Sequence, residues 1–182
     1  MKKIMSVITA FALIGCVFVS CSAKKETKKA EGVEAVEQTG ASYETALKEC
    51  FNALFSANGG KVFFSYMYPN NVIEKMKEDG SYDVAVNNYN EQQANRPDLT
   101  DGVYEFGKII SSEPLIEKQE TAVKDYMLSL CTEYFPDMKA DEFVINEGYQ
   151  VDYSYFENGT EKGPDTVLVI NIGDEGWKII TG

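Results

Sequence analysis

The C-terminal segment from Phe143 onward constrains the fold most tightly. Phe143, Ile145, Tyr149, Val151, Tyr153 and Tyr155 share one parity, while Asn146, Gln150, Asp152 and Ser154 share the other. Side chains alternate across a strand, so this spacing predicts a half-buried strand with one wet face. Glu157-Asn158-Gly159-Thr160 carries the Asn-Gly pair of a two-residue hairpin turn. TVLVINI, residues 166–172, is apolar on both parities except at Asn171, which predicts a central strand. Gly173-Asp174-Glu175-Gly176 turns the chain again, and WKII, residues 177–180, makes a short last strand. An antiparallel meander is the expected end of the molecule.

Upstream the period changes. Residues 42–58 place Tyr43, Ala46, Leu47, Cys50, Phe51, Leu54 and Phe55 on one stripe of a helix. Ser42 is its expected cap, and Asn58-Gly59-Gly60 its end. Pro69 divides the next stretch into a short helix over residues 61–66 and a second that starts near Asn70 or Asn71 and stops at Gly80. Tyr82, Ala85, Val86 and Tyr89 predict a third short helix, and Arg96-Pro97-Asp98 closes the region. Residues 103–114 read as a strand that stops at Pro114. Residues 116–135 return to helical spacing, with Val123, Tyr126, Met127, Leu130, Cys131, Tyr134 and Phe135 as the stripe and Pro136 as the stop. Helices followed by antiparallel strands imply an α+β domain over residues 42–182, with the N-terminal helices packed on one face of a sheet of about four strands.

The first 41 residues are of another kind. Lys2 and Lys3 precede an apolar run from Ile4 to Val19, the layout of an export signal. The run resembles a bacterial lipoprotein signal, in which a small residue precedes a cysteine that becomes the lipid-modified N-terminus. Leu13-Ile14-Gly15-Cys16 fits by residue type, but Val17, Phe18 and Val19 would then open the mature chain. Ser20-Cys21 is followed by Ser22, Ala23, Lys24 and Lys25, which suits a chain leaving a membrane surface. Cys21 is therefore the expected lipid attachment, with Cys16 the alternative. Two or three acyl chains, at about 0.8 kcal/mol per buried methylene, anchor stably. Residues 22–41 have no aromatic residue and are rich in lysine and glutamate, the composition of a disordered tether. These readings imply a protein held outside the cytoplasm on a bacterial cell membrane.

From residue 42 to the end, the chain resembles the cystatin-like, nuclear-transport-factor-like superfamily. The resemblance rests on the first helix with its aromatic end (CFNALFSAN), the short helices around Pro69, and the ending DTVLVINIGDEGWKII. It implies a curved sheet that wraps the long helix into a cone with a pocket, and pairing of two copies through the sheet. The helix over residues 116–135, between the first strand and the meander, departs from the simplest members. Small exported lipoproteins of unknown role carry the same layout.

The chemistry available is narrow. The chain has no histidine, the residue best suited to proton transfer at neutral pH, and beyond the signal neither Cys50 nor Cys131 lies in a close-spaced pair, so neither a catalytic imidazole nor the usual zinc site is expected. No cofactor is implied. Acidic residues number 29 against 17 basic, which disfavours a nucleic-acid partner. Asp152 and Tyr153 are adjacent but point to opposite faces of a strand, so they cannot form an acid–base pair. Tyr149, Tyr153 and Tyr155, with Asn171 and Trp177, are the residues that would line a ligand pocket if they are not core. Cys50 and Cys131 lie on apolar stripes of two helices and would form a disulfide if those helices cross. The expected function is a membrane-tethered, non-catalytic binding module for a small molecule, peptide or protein. Two alternatives stand beside it: an isomerase or dehydratase using a pocket carboxylate, and a structural role in envelope assembly.

Overall fold

Helix α1 spans Tyr43–Leu54 in the computed structural model, which describes residues 42–181. The signal, Cys16, Cys21 and the tether lie outside the described residues. Ser42 caps α1 as expected, its Oγ accepting the Thr45 N–H at 3.3 Å. Ala46, Leu47, Cys50, Phe51 and Ala53 form the buried stripe. The helix stops at Leu54 rather than Asn58, because the chain doubles back on its own last turn. A Cβ on Gly59 would lie 1.9 Å from the Ala53 carbonyl oxygen, so only glycine fits there.

Helices α2 (Gly60–Met67) and α3 (Asn70–Asp79) are separated at Pro69, and Gly80, at φ 81°, separates α3 from α4 (Ser81–Ala94). A five-residue helix, α5 (Pro97–Asp101), follows where the sequence suggested only a break. Proline at its first position is preset for a helix, and Arg96 Nε donates to Asp98 Oδ1 at 3.2 Å across its start. Strand β1 (Tyr104–Pro114) leads to α6 (Glu117–Cys131), and then come β2 (Ile145–Glu157), β3 (Thr160–Ile172) and β4 (Gly176–Thr181). The sheet order is β1-β2-β3-β4, with every neighbouring pair antiparallel. The Asn158-Gly159 turn closes the β2–β3 hairpin, with Asn158 at φ 52° and Gly159 at 75°. β3 starts at Thr160 rather than Thr166, because its first residues pair with Glu157, Phe156 and Tyr155 beyond the apolar run.

Helices cover both faces of the sheet, which corrects the expectation of a single covered face. Tyr149, Val151, Tyr153 and Tyr155 of β2 share a face with Val169 and Ile179, and this face meets α1. On the other face Leu115 sits over Gly148 and Ile170, and Gln119 of α6 donates to Gln150 at 2.7 Å. A Cβ on Gly148 would lie 2.7 Å from Leu115 Cδ1, so glycine is required for this approach. Val169 and Ile170 point to opposite faces and are both fully buried, which is why TVLVINI is apolar on both parities.

One polar atom in this core is out of place. The Tyr89 ring stacks on Phe63 at 4.7 Å, yet its hydroxyl is buried with no hydrogen-bond partner among the described residues. Such a group costs about 1–3 kcal/mol. Tyr89→Phe removes only that oxygen and is expected to raise the unfolding free energy by about 1 kcal/mol, read from the urea midpoint at unchanged slope. A loss of stability would show that the hydroxyl has a partner.

Candidate functional site

The space between α1 and the sheet is filled by the chain's own aromatic rings. Tyr149 lies 4.9 Å from Tyr43 and 6.3 Å from Trp177, ring centre to ring centre. Tyr153 is buried between Phe51, edge-on at 6.0 Å, and Phe106, stacked at 5.7 Å. Tyr155 packs on Phe51 at 5.9 Å and Phe55 at 6.5 Å. Trp177 is buried, its ring centre 6.0 Å from that of Tyr43 in an edge-to-face arrangement. These residues were expected as candidate pocket lining. The three tyrosines share one face as predicted, and α1 supplies rings that pack on it; Tyr153 and Trp177 are buried in the core, while Tyr149 and Tyr155 are half-buried at its border. Asn171 is half-buried, and its Oδ1 accepts from Asn146 Nδ2 at 3.0 Å. It is a satisfied amide at the end of the sheet.

Cys50 and Cys131 are both free and buried, which corrects the disulfide that the sequence admitted. Their surroundings differ. Cys50 on α1 lies among Tyr66, Tyr89 and Tyr153, and burial pushes its thiol up to about 12. Cys131 on α6 faces Asn71 of α3, its Sγ 4.0 Å from Oδ1, and burial with the Glu175 charge raises it to about 11. Both thiols stay protonated at neutral pH and are poor nucleophiles.

Two charged residues were not singled out from sequence. Asp165 pairs across the hairpin with Tyr153, half-buried, and burial lifts its carboxyl above the usual carboxylate range. Tyr153 and Tyr155 are raised by burial first and by the Asp165 charge second. Lys178 of β4 has no exposed surface. Its ammonium donates to the Ser65 carbonyl at 3.0 Å and to Asn70 Oδ1 at 2.9 Å, and lies 3.6 Å from Glu175 Oε2. Desolvation pulls its pKa below the ordinary lysine value, against the pull of Glu175.

A groove, not a chamber, opens between α1 and β1, away from both of these residues. It measures about 410 Å³ and is lined by Glu44, Thr45 and Lys48 of α1 and by Phe106, Gly107 and Ile109 of β1. None of the five candidate pocket residues lines it. One wall is the wet face of α1, the other the apolar side of β1, and Phe106 joins it to the aromatic core through Tyr153. Among the described residues no group of histidine, cysteine, aspartate or glutamate side chains is placed to hold a metal ion, and no helix is long and apolar enough to cross a membrane. No family model, no curated protein and no solved structure matches the chain.

Proposed function

We infer that the chain is an exported, lipid-anchored protein whose domain is a non-catalytic interaction module, engaging a protein or peptide through its surface. The observation that carries the reading is the filled interior. Tyr149, Tyr153 and Tyr155, the natural lining of a cone-shaped pocket, are packed against Tyr43, Phe51 and Phe55. A groove between α1 and β1 stays open beside a sheet edge. Its mix of an apolar wall and opposite charges suits a polypeptide better than a small apolar ligand.

The isomerase or dehydratase reading has one observation on its side, the raised carboxyl of Asp165 near two tyrosines. Asp165 does not line the groove, and Phe106 and Tyr153 stack between that opening and the aromatic core. A general base needs reach to its substrate. The interaction reading is therefore the stronger.

The anchoring half is tested by metabolic labelling of full-length chains with a radioactive fatty acid in a bacterial host. The wild-type chain and Cys16→Ser are expected to incorporate label, and Cys21→Ser to lose it. Label lost from Cys16→Ser and kept by Cys21→Ser moves the attachment to Cys16. A wild-type chain that takes up none removes the anchor altogether.

A further inference from the structure

β1 is an edge strand. It is bonded to β2 alone, and among the described residues no backbone hydrogen bond reaches it from its outer side. α1 packs on one face of it, and the groove opens between the two. An unpaired edge is a template for a further strand, and an extended polypeptide satisfies it through main-chain hydrogen bonds. The backbone alone does not choose among extended segments. Charge does.

The groove and the strand together carry five charged side chains. Glu44 and Lys48 stand one turn apart on the α1 wall. Glu105 pairs with Phe156 and Glu113 with Gln150, so both point away from α1, and both are exposed. Lys108 lies between them, its ammonium 3.9 Å from Glu161. Among the described residues no ion pair reaches Glu44, Lys48, Glu105 or Glu113. Three carboxylates and one ammonium are thus left to face the solvent. The whole domain has the same sign, with 25 acidic residues against 11 basic ones over residues 42–182. Such a field draws in a basic segment and turns away an acidic one.

The irregularity of β1 limits the length of what it takes. Two bulges interrupt its pairing, between Phe106 and Ile109 and between Ile109 and Ser111. Bulges break the even spacing that a long flat strand needs, which is how natural edges resist self-association. A second copy would also bring the same acidic excess to the edge. A short segment held by its side chains suits this surface instead. Phe106 and Ile109 offer it an apolar wall, and Ile110, the inserted residue, is 51% exposed. Side chains alternate along a strand, so those flanking an apolar residue in the groove point to the face of Glu105 and Glu113.

We propose that β1 and its groove bind a short, basic, extended segment of another protein, added to the sheet as a fifth strand. An apolar side chain of the segment lies against Phe106 and Ile109. Its lysines or arginines meet Glu105 and Glu113 on the far face and Glu44 at the groove wall. The inference rests on the interaction reading above and names the chemistry of its partner.

The test uses the full-length chain in micelles of an uncharged detergent. The probe is a fluorescent seven-residue peptide of alternating lysine and valine, and the control alternates glutamate and valine. Anisotropy is expected to show saturable binding of the basic peptide and none of the acidic one, with slowed amide exchange over residues 104–113. Glu44→Gln, Glu105→Gln and Glu113→Gln together are expected to weaken binding about tenfold. Glu74→Gln, Asp83→Asn and Glu91→Gln alter exposed carboxylates on α3 and α4, and together should leave it within about twofold. All six side chains are exposed, so both triple variants keep the core intact. No binding of the basic peptide, equal binding of the two peptides, equal weakening by the two triple variants, or binding without slowed exchange in β1 each overturns the proposal. Photocrosslinking from Ile109 in the cell that makes the chain identifies the natural partner. A crosslink to a lysine- or arginine-rich extended segment supports the proposal. One to an acidic or helical segment overturns it and leaves the interaction reading standing. No crosslink from any residue of the groove removes both.

Discussion

Lys178→Ala is expected to lower the unfolding free energy by about 3–5 kcal/mol, because it removes one member of a buried, hydrogen-bonded charge pair and leaves the other in place. The Lys178 ammonium satisfies the Ser65 carbonyl of α2 and Asn70 Oδ1 of α3, while Glu175 Oε2, 3.6 Å away, also accepts the Asn70 N–H at 2.9 Å. The network holds β4 against the corner at Pro69. Truncation strands the carbonyl and the carboxylate and also deletes the packed stem. Lys178→Met keeps most of the stem and is expected to cost about 2 kcal/mol. Lys178→Met with Glu175→Gln removes both charges and should recover most of that loss. Urea unfolding at neutral pH measures all three, and the coupling between the two sites comes from the double-mutant cycle. A cost below about 1 kcal/mol for Lys178→Ala would mean that water already solvates the ammonium.

The burial of Lys178 has a signal in the sequence. In WKII it shares parity with Ile180, and the strand it joins, TVLVINI, is apolar on both parities. A lysine on a strand whose two faces both meet core has to be buried and paired. By contrast the strands themselves were legible, because alternation and the Asn-Gly turn are local signals. Helix starts at Ser42 and Asn70 and the stop at Gly80 were legible for the same reason. The short helix α5 was not, since five residues carry no periodicity. The groove was not either, because its walls lie about sixty residues apart in the chain and meet only through the register of β1 under α1. Asp165 sits just before the apolar run that marks β3, where Gly163-Pro164 reads as loop, so its pairing with Tyr153 left no pattern to see. The apolar stripe on α1 and the tyrosine row on β2 each mark one face in the sequence, and the tyrosine row is compatible with core or with pocket lining. Packing decides between those roles, and both sets turn out to fill one space.

Phe51→Ala tests that filling directly. Phe51 is 4% exposed and touches Phe55, Phe106, Tyr153 and Tyr155, with ring centres 4.6–6.0 Å away. Deleting a ring packed this way costs about 3–5 kcal/mol, part transfer and part unfilled cavity. The cavity would be apolar, and an apolar cavity of ring size stays dry and accepts a small aromatic molecule. Benzene should therefore stabilise Phe51→Ala, by about 1.4 kcal/mol at ten times its dissociation constant, and leave the wild-type midpoint unmoved. Urea unfolding with and without benzene gives both numbers. Equal stabilisation of the wild-type chain would reveal an open interior pocket. That result would turn Tyr149, Tyr153 and Tyr155 back into ligand-binding residues and remove the reason for placing the interaction on the β1 edge. A small cost for Phe51→Ala, with no benzene effect, would mean that the neighbouring rings collapse into the space. The core would then be plastic, and the filled interior would reflect adaptable rings rather than a fixed fit.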